Sequence, residues 1–153
     1  MLVLLAAACA DGTPVDPLEG LPPVEPAVPG AFDLSFQLDP DLVPDMAEPA
    51  AGAVLGAVYD EADATATGPV DGAVPLYDYV TASLDLTDGA VSASAAETPL
   101  LDAPVVWLLA CLDGNADGCG CGDPVTVPNA NKVRVIGGVT TPIVVTFDLL
   151  HPC

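Results

Sequence analysis

Hydrophobic and polar residues begin to alternate at residue 31. Phe32, Leu34, Phe36 and Leu38 fall on one face, with Asp33, Ser35 and Gln37 on the other. A period of two is the mark of a half-buried strand, and Asp39-Pro40-Asp41 stops it. Residues 51–59, AGAVLGAVY, form a second apolar segment, in which Gly52 and Gly56 disfavour a helix and suit a strand. Residues 60–73 are rich in Asp, Gly, Ala and Thr and read as a long loop. Tyr77, Tyr79 and Thr81 share a face of a third strand, and Leu84 and Leu86 lie on the opposite one. Thr87-Asp88-Gly89 is a hairpin signal, with residues 90–96 as the returning strand. Residues 104–112, PVVWLLACL, are continuously apolar and read as a central buried strand that holds Trp107 in the core. Short β-branched stretches follow at 125–127 and 133–136. In the last segment, 139–150, Ile143, Val145, Phe147 and Leu149 alternate with Val144, Thr146 and Asp148.

These segments predict an all-β domain over residues 31–153: a single antiparallel β-sandwich of about seven or eight strands, with no helical period anywhere. About 120 residues supply one such core and not two. Strands of this length and spacing resemble the immunoglobulin-like and transthyretin-like modules of bacterial cell surfaces. The resemblance is one of fold and implies no activity.

The residues before 31 have a different character. Residues 1–9 read MLVLLAAAC, an apolar run that shrinks to Ala and meets Cys9. An apolar stretch ending in small residues is what signal peptidases read. Small residues directly before a Cys resemble the lipobox of bacterial lipoproteins, here with Ala6 where that family usually has Leu and Leu5 one step further out. The resemblance implies that residues 1–8 are a truncated signal peptide, that Cys9 is diacylated on sulfur, and that the mature protein sits in the cell envelope, lipid-anchored to a membrane and facing the periplasm or exterior. Residues 11–30 contain six Pro and three Gly. Proline removes the backbone donor and favours extended neighbours. Residues 9–30 therefore read as the lipidated Cys and a semi-rigid, Pro-rich disordered linker.

Charge narrows the function classes. The chain carries 22 Asp and Glu against 2 Lys and Arg, a formal charge of -20. Lys132 and Arg134 cannot provide the cationic footprint that nucleic acid requires. Asp outnumbers Glu by 17 to 5. Asp is the acid of turns and metal sites, whereas Glu suits helices.

With Cys9 lipidated, Cys111, Cys119, Cys121 and Cys153 remain, and an even number in an exported chain suggests disulfides. Cys119 with Cys121 would close too tight a ring. Cys111 is therefore expected to pair with one of them and Cys153 with the other. The competing reading is a thiolate metal site of Cys119, Cys121, His151 and Cys153.

Between these cysteines lies DGNADGCGCGD, residues 113–123. Asp113, Asn115 and Asp117 occupy alternate positions, Gly118 allows a sharp turn, and the Cys119 carbonyl follows at the seventh place. Hard cations want several oxygens, and alternate carboxylates converge when the chain curls. The spacing resembles the D-x-[DN]-x-[DN]-G loops of EF-hands, dockerins and thrombospondin-type repeats, and implies structural Ca2+. Pro124 stands at the twelfth place, where the EF-hand has its closing acid, and Asp123 lies one step early. As a plain alternative, Asp, Asn and Gly form solvated turns without any metal.

Catalysis has little to stand on. The one histidine, His151, is next to Pro152, and no G-x-S-x-G elbow or phosphate-binding glycine loop is present. The expectation is a non-enzymatic envelope protein with a structural or interaction role, meeting the membrane through its anchor and an envelope protein or glycan through its domain. The alternative is a calcium- or carbohydrate-binding accessory module using the 113–123 loop.

Overall fold

The computed structural model describes residues 28–46 and 49–153. The expected signal peptide, the lipidated Cys9 and most of the linker lie outside the described residues. The domain is all-β. Its strands are β1 (Ala31–Leu38), β2 (Ala51–Asp60), β3 (Ala64–Thr65), β4 (Gly68–Pro69), β5 (Tyr77–Val80), β6 (Leu84–Asp85), β7 (Ala96–Glu97), β8 (Val105–Asp113), β9 (Pro124–Thr126), β10 (Lys132–Arg134) and β11 (Thr140–Leu150). The described helical turns are short 3-10 pieces, such as the three-residue Glu61–Asp63. No described helix is long and apolar enough to cross a membrane.

The expected antiparallel sandwich is corrected in two respects. First, β1 and β11 run parallel, in register from Ala31 opposite Thr140 to Leu38 opposite Phe147. Alternation reports which face is buried but not strand direction, because both ladders share the period of two. Second, nine strands join in one mixed sheet, ordered β5-β2-β8-β9-β11-β1-β7, with β10 beside β8 and β6 beside β2. The three-residue β9 causes the merger. Val125 pairs with both Cys111 of β8 and Leu149 of β11, linking two layers that would otherwise stay separate. The sheet thus curls into a nearly closed, barrel-like form, and β3 with β4 forms a separate hairpin inside the expected 60–73 loop.

The inward residues match the alternation. Phe32, Leu34, Phe36 and Leu38 are fully buried, as are Val54 and Val58 of β2 and Val106, Leu108 and Leu112 of β8. Phe36 lies at the centre, 6.1 Å from the ring of Phe147 and 6.2 Å from that of Tyr79. The phenol of Tyr79 crosses over Gly56, its partner on β2. A Cβ on Gly56 would stand 2.1 Å from that ring, so glycine is what lets the aromatic lie flat there.

β8 is apolar from Val105 to Leu112 because its outer face is also covered. Trp107 is 5% exposed. Lys132, opposite it on β10, places its ammonium 5.1 Å from the ring centre and 2.9 Å from Glu61 Oε1. The indole Nε1 donates to the Glu61 carbonyl at 3.1 Å. Trp107 is thus a core residue held under a cation and not a platform for a sugar.

The returning strand expected at 90–96 narrows to β7. The segment still runs along β1, because Ser92, Ala95 and Thr98 donate backbone N–H groups to the Phe36, Leu34 and Phe32 carbonyls. The hydroxyls of Ser92 and Thr98 in turn accept from the Phe36 and Phe32 N–H groups, each at 2.9 Å. Side-chain oxygens do here what strand carbonyls would do, which satisfies the edge with little regular strand.

Candidate metal centre

The 113–123 loop leaves β8 at Asp113 and returns at β9. Asp113 is 8% exposed and Asp123 is 2% exposed, although both are acids. Their burial is compensated by backbone donors. Asp113 accepts from Ala116 N at 2.7 Å through Oδ1 and from Gly118 N at 3.1 Å through Oδ2. Asp123 Oδ2 accepts from Gly120 N at 2.7 Å. The turn that aims these N–H groups inward needs left-handed backbone at Ala116 (φ 64°) and Gly118 (φ 96°). Gly118 adopts it without cost and Ala116 does not.

Both cysteine pairs close around this loop. Cys111 bonds to Cys119 and Cys121 to Cys153, with Cα separations of 6.0 and 4.5 Å. This is one of the two pairings left open by the sequence. All four sulfurs are oxidised, which leaves no thiolate for the Cys119, Cys121, His151, Cys153 metal set. The second disulfide ties the loop to the end of β11, where the backbone already pairs with it. Gly122 N donates to the His151 carbonyl at 2.9 Å, and His151 N donates to the Asp123 carbonyl at 2.8 Å.

Asp113, Asp117 and Asp123 come together, each with a ligand atom within 4.8 Å of the other two. Carboxylates held this close repel one another, least at the exposed Asp117. A divalent cation would convert this repulsion into attraction, and three carboxylates are hard donors of the kind calcium takes. Asp123 supplies the third carboxylate of the cluster, one place before Pro124. Asn115 has its Oδ1 on Asp117 N at 3.0 Å, where it shapes the turn that presents Asp117. Cys119, expected to act through its carbonyl, contributes its sulfur to the bridge with Cys111.

The sequence did not single out two supports of this site. One is the clamp from β11 through the His151 backbone, which continues the antiparallel β9–β11 ladder beyond Leu150 and Pro124. The other is Gly52. A Cβ there would lie 1.9 Å from the Asp113 carbonyl oxygen, so the close approach of β2 to the start of the loop requires glycine. The glycine in an apolar strand was the available signal. Comparison with known proteins finds no matching family model, no matching curated protein and no matching solved structure.

Proposed function

We propose that this chain is a non-catalytic envelope protein, lipid-anchored through Cys9, whose β-domain carries a structural calcium ion in its 113–123 loop. The observation that carries this reading is the convergence of Asp113, Asp117 and Asp123, with ligand atoms within 4.8 Å, on a loop fastened by two disulfides. Oxygen donors favour calcium over zinc or copper, which prefer thiolate and imidazole. Disulfides persist in oxidising compartments, which agrees with export. The cation offsets the repulsion among the three acids and stiffens a loop that holds the C-terminal strand. Its role is therefore structural, and the rigid domain at the end of an acidic tether serves interaction with other envelope components.

Calcium binding predicts a melting temperature that depends on the ion. At a free concentration of about 100 Kd, a ligand specific for the folded state adds about 2.7 kcal/mol. For a domain of this size that raises Tm by roughly 10 °C. The rise should vanish with EDTA and in Asp117→Asn, which removes an exposed ligand and leaves the buried hydrogen bonds of Asp113 in place. A Tm unaffected by millimolar Ca2+ and EDTA would reject the metal centre. The anchor is tested separately: in cells fed labelled palmitate, the wild type should take up label and Cys9→Ser should not. Equal labelling of both would reject it.

A further inference from the structure

The end of the domain where the chain enters carries apolar side chains that the calcium reading does not use. Val28, Leu100, Ile136 and Val139 are each half or more exposed, and backbone contacts gather them around that entry. Gly30 and Leu101 exchange hydrogen bonds at 3.0 and 2.7 Å. Gly138 N donates to the Pro29 carbonyl and Ala31 N to the Val139 carbonyl, each at 3.0 Å. A Cβ on Gly137 would stand 2.3 Å from the Val28 carbonyl oxygen, so glycine lets the incoming chain lie against this turn. Exposed apolar groups clustered in this way mark an interaction surface.

Charge singles out the same end. Residues 124–147, which include Ile136 and Val139, contain no Asp or Glu and hold both cations of a chain with 22 acids. The acids at the margin of the patch are Asp102, exposed beside Leu101, and Asp33, half-buried on β1. The exposed apolar residues around β5 are different. Val70, Val74, Leu76 and Val80 are interleaved with the exposed Asp71 and Asp78. A bilayer interface takes up apolar side chains readily and carboxylates only at a cost, so the entry end is the better fitted of the two to meet one.

We infer that this end of the domain rests on the surface of a zwitterionic phospholipid bilayer, with Val28, Leu100, Ile136 and Val139 among the headgroups. The inference rests on the lipid-anchor reading and gives that anchor an orientation. The chain that precedes Val28 argues for this occupant. Cys9 is joined through residues 10–27 to Val28, inside the patch, so a tether fixed in a membrane holds this end towards it. Residues 10–27 span at most roughly 60 Å. A flexible tether sets a local concentration on the order of millimolar, so contacts too weak to hold a free chain are populated on a tethered one. Zwitterionic headgroups suit a molecule of charge -20, which a strongly anionic surface would repel.

The test supplies the tether chemically, so it is readable whether or not cells lipidate Cys9. The other four cysteines are bridged, and a maleimide-headgroup lipid therefore couples the full chain through Cys9. The vesicles are of phosphatidylcholine and phosphatidylethanolamine, in salt of about 0.15 M. Hydrogen–deuterium exchange in residues 135–140 should slow by about threefold or more on coupling, relative to the free chain. Ile136→Asp with Val139→Asp should abolish the slowing. Val74→Asp with Val80→Asp, which adds the same charge at exposed positions outside the patch, should keep it. Exchange in β8, read from the same samples, reports that each variant is folded. Unchanged exchange at 135–140 in the coupled wild type would overturn the proposal, as would equal slowing in the Ile136/Val139 variant. Loss of the slowing in both double variants would trace it to added charge and overturn the patch. Slowing in the free chain that grows with protein concentration would make a second copy the occupant and overturn the bilayer. An unlabelled wild type in the palmitate experiment rejects the natural anchor and leaves this measurement standing on its own.

Discussion

Phe36→Ala is expected to destabilise the domain by about 3–5 kcal/mol, the range for truncating a buried aromatic. Phe36 is fully buried in the middle of β1, and its ring faces both Phe147 and Tyr79. Those two residues belong to β11 and β5, so the cavity would open where the first strand, the last strand and the far edge of the sheet meet. Small domains hold only about 5–15 kcal/mol in total, and the urea midpoint should fall by about a fifth or more. A loss below about 1 kcal/mol would mean that the interior is not packed around this ring. Tyr79→Phe gives the contrast. The Tyr79 hydroxyl is buried with no hydrogen-bond partner, and burial raises its pKa above the ordinary phenol range. A buried unsatisfied hydroxyl costs stability, so its removal should leave stability unchanged or raise it slightly. The raised pKa keeps the phenol neutral in the folded state. Its contribution is complete below the ordinary phenol pKa near 10 and is lost as the pH climbs above it. The wild type should therefore weaken in alkali more steeply than Tyr79→Phe.

The same ring shows what could be read from the chain and what could not. Alternation placed Phe32, Leu34, Phe36 and Leu38 on one face, and all four are buried. The unbroken apolar run marked 104–112 as central, and β8 is covered on both faces. These inferences succeed because burial acts on each residue separately and leaves a period in the sequence. Strand direction and sheet order leave none. Nothing in residues 31–38 distinguishes a parallel neighbour from an antiparallel one, and nothing in Pro124–Thr126 announces a strand that joins two layers. The hydroxyl pairing of Ser92 and Thr98 with β1 was hidden for a related reason. A Ser- and Ala-rich segment lacks the hydrophobic signal of a strand even when it satisfies an edge. In the acidic loop, spacing identified Asp113 and Asp117. Asp123 was also a sequence candidate, one step before the closing place, and the fold brings its carboxylate to the other two while its carbonyl accepts from His151 N, on a segment distant in sequence.

Replacing Cys121 and Cys153 together by Ser should cost roughly 3.5 kcal/mol, and replacing Cys111 and Cys119 roughly 2.5. The difference follows from loop length. The two bridges close spans of 32 and 8 residues, and a cross-link stabilises chiefly by restricting the unfolded chain, more so when the loop is long. The longer bridge has a second effect, on the site. It fixes Cys153 to the loop beside Gly122 and Asp123, whose backbone groups pair with His151. Without it, the residues that follow the β9–β11 ladder keep the two His151 backbone hydrogen bonds but lose their covalent tie and can fray, as chain termini do. Asp123 would then lose the strand that keeps it beside Asp113 and Asp117. Cys121→Ser/Cys153→Ser is therefore expected to lose both stability and most of the calcium-dependent rise in Tm. Cys111→Ser/Cys119→Ser keeps the β11 clamp and should retain a larger share of that rise. Denaturant titration with and without Ca2+ reads both quantities on the same samples. Equal calcium responses in the two variants would show that β11 does not hold the third acid in place. A larger stability loss from the shorter bridge would show that native packing around Cys111, 2% exposed on β8, outweighs the effect of loop length.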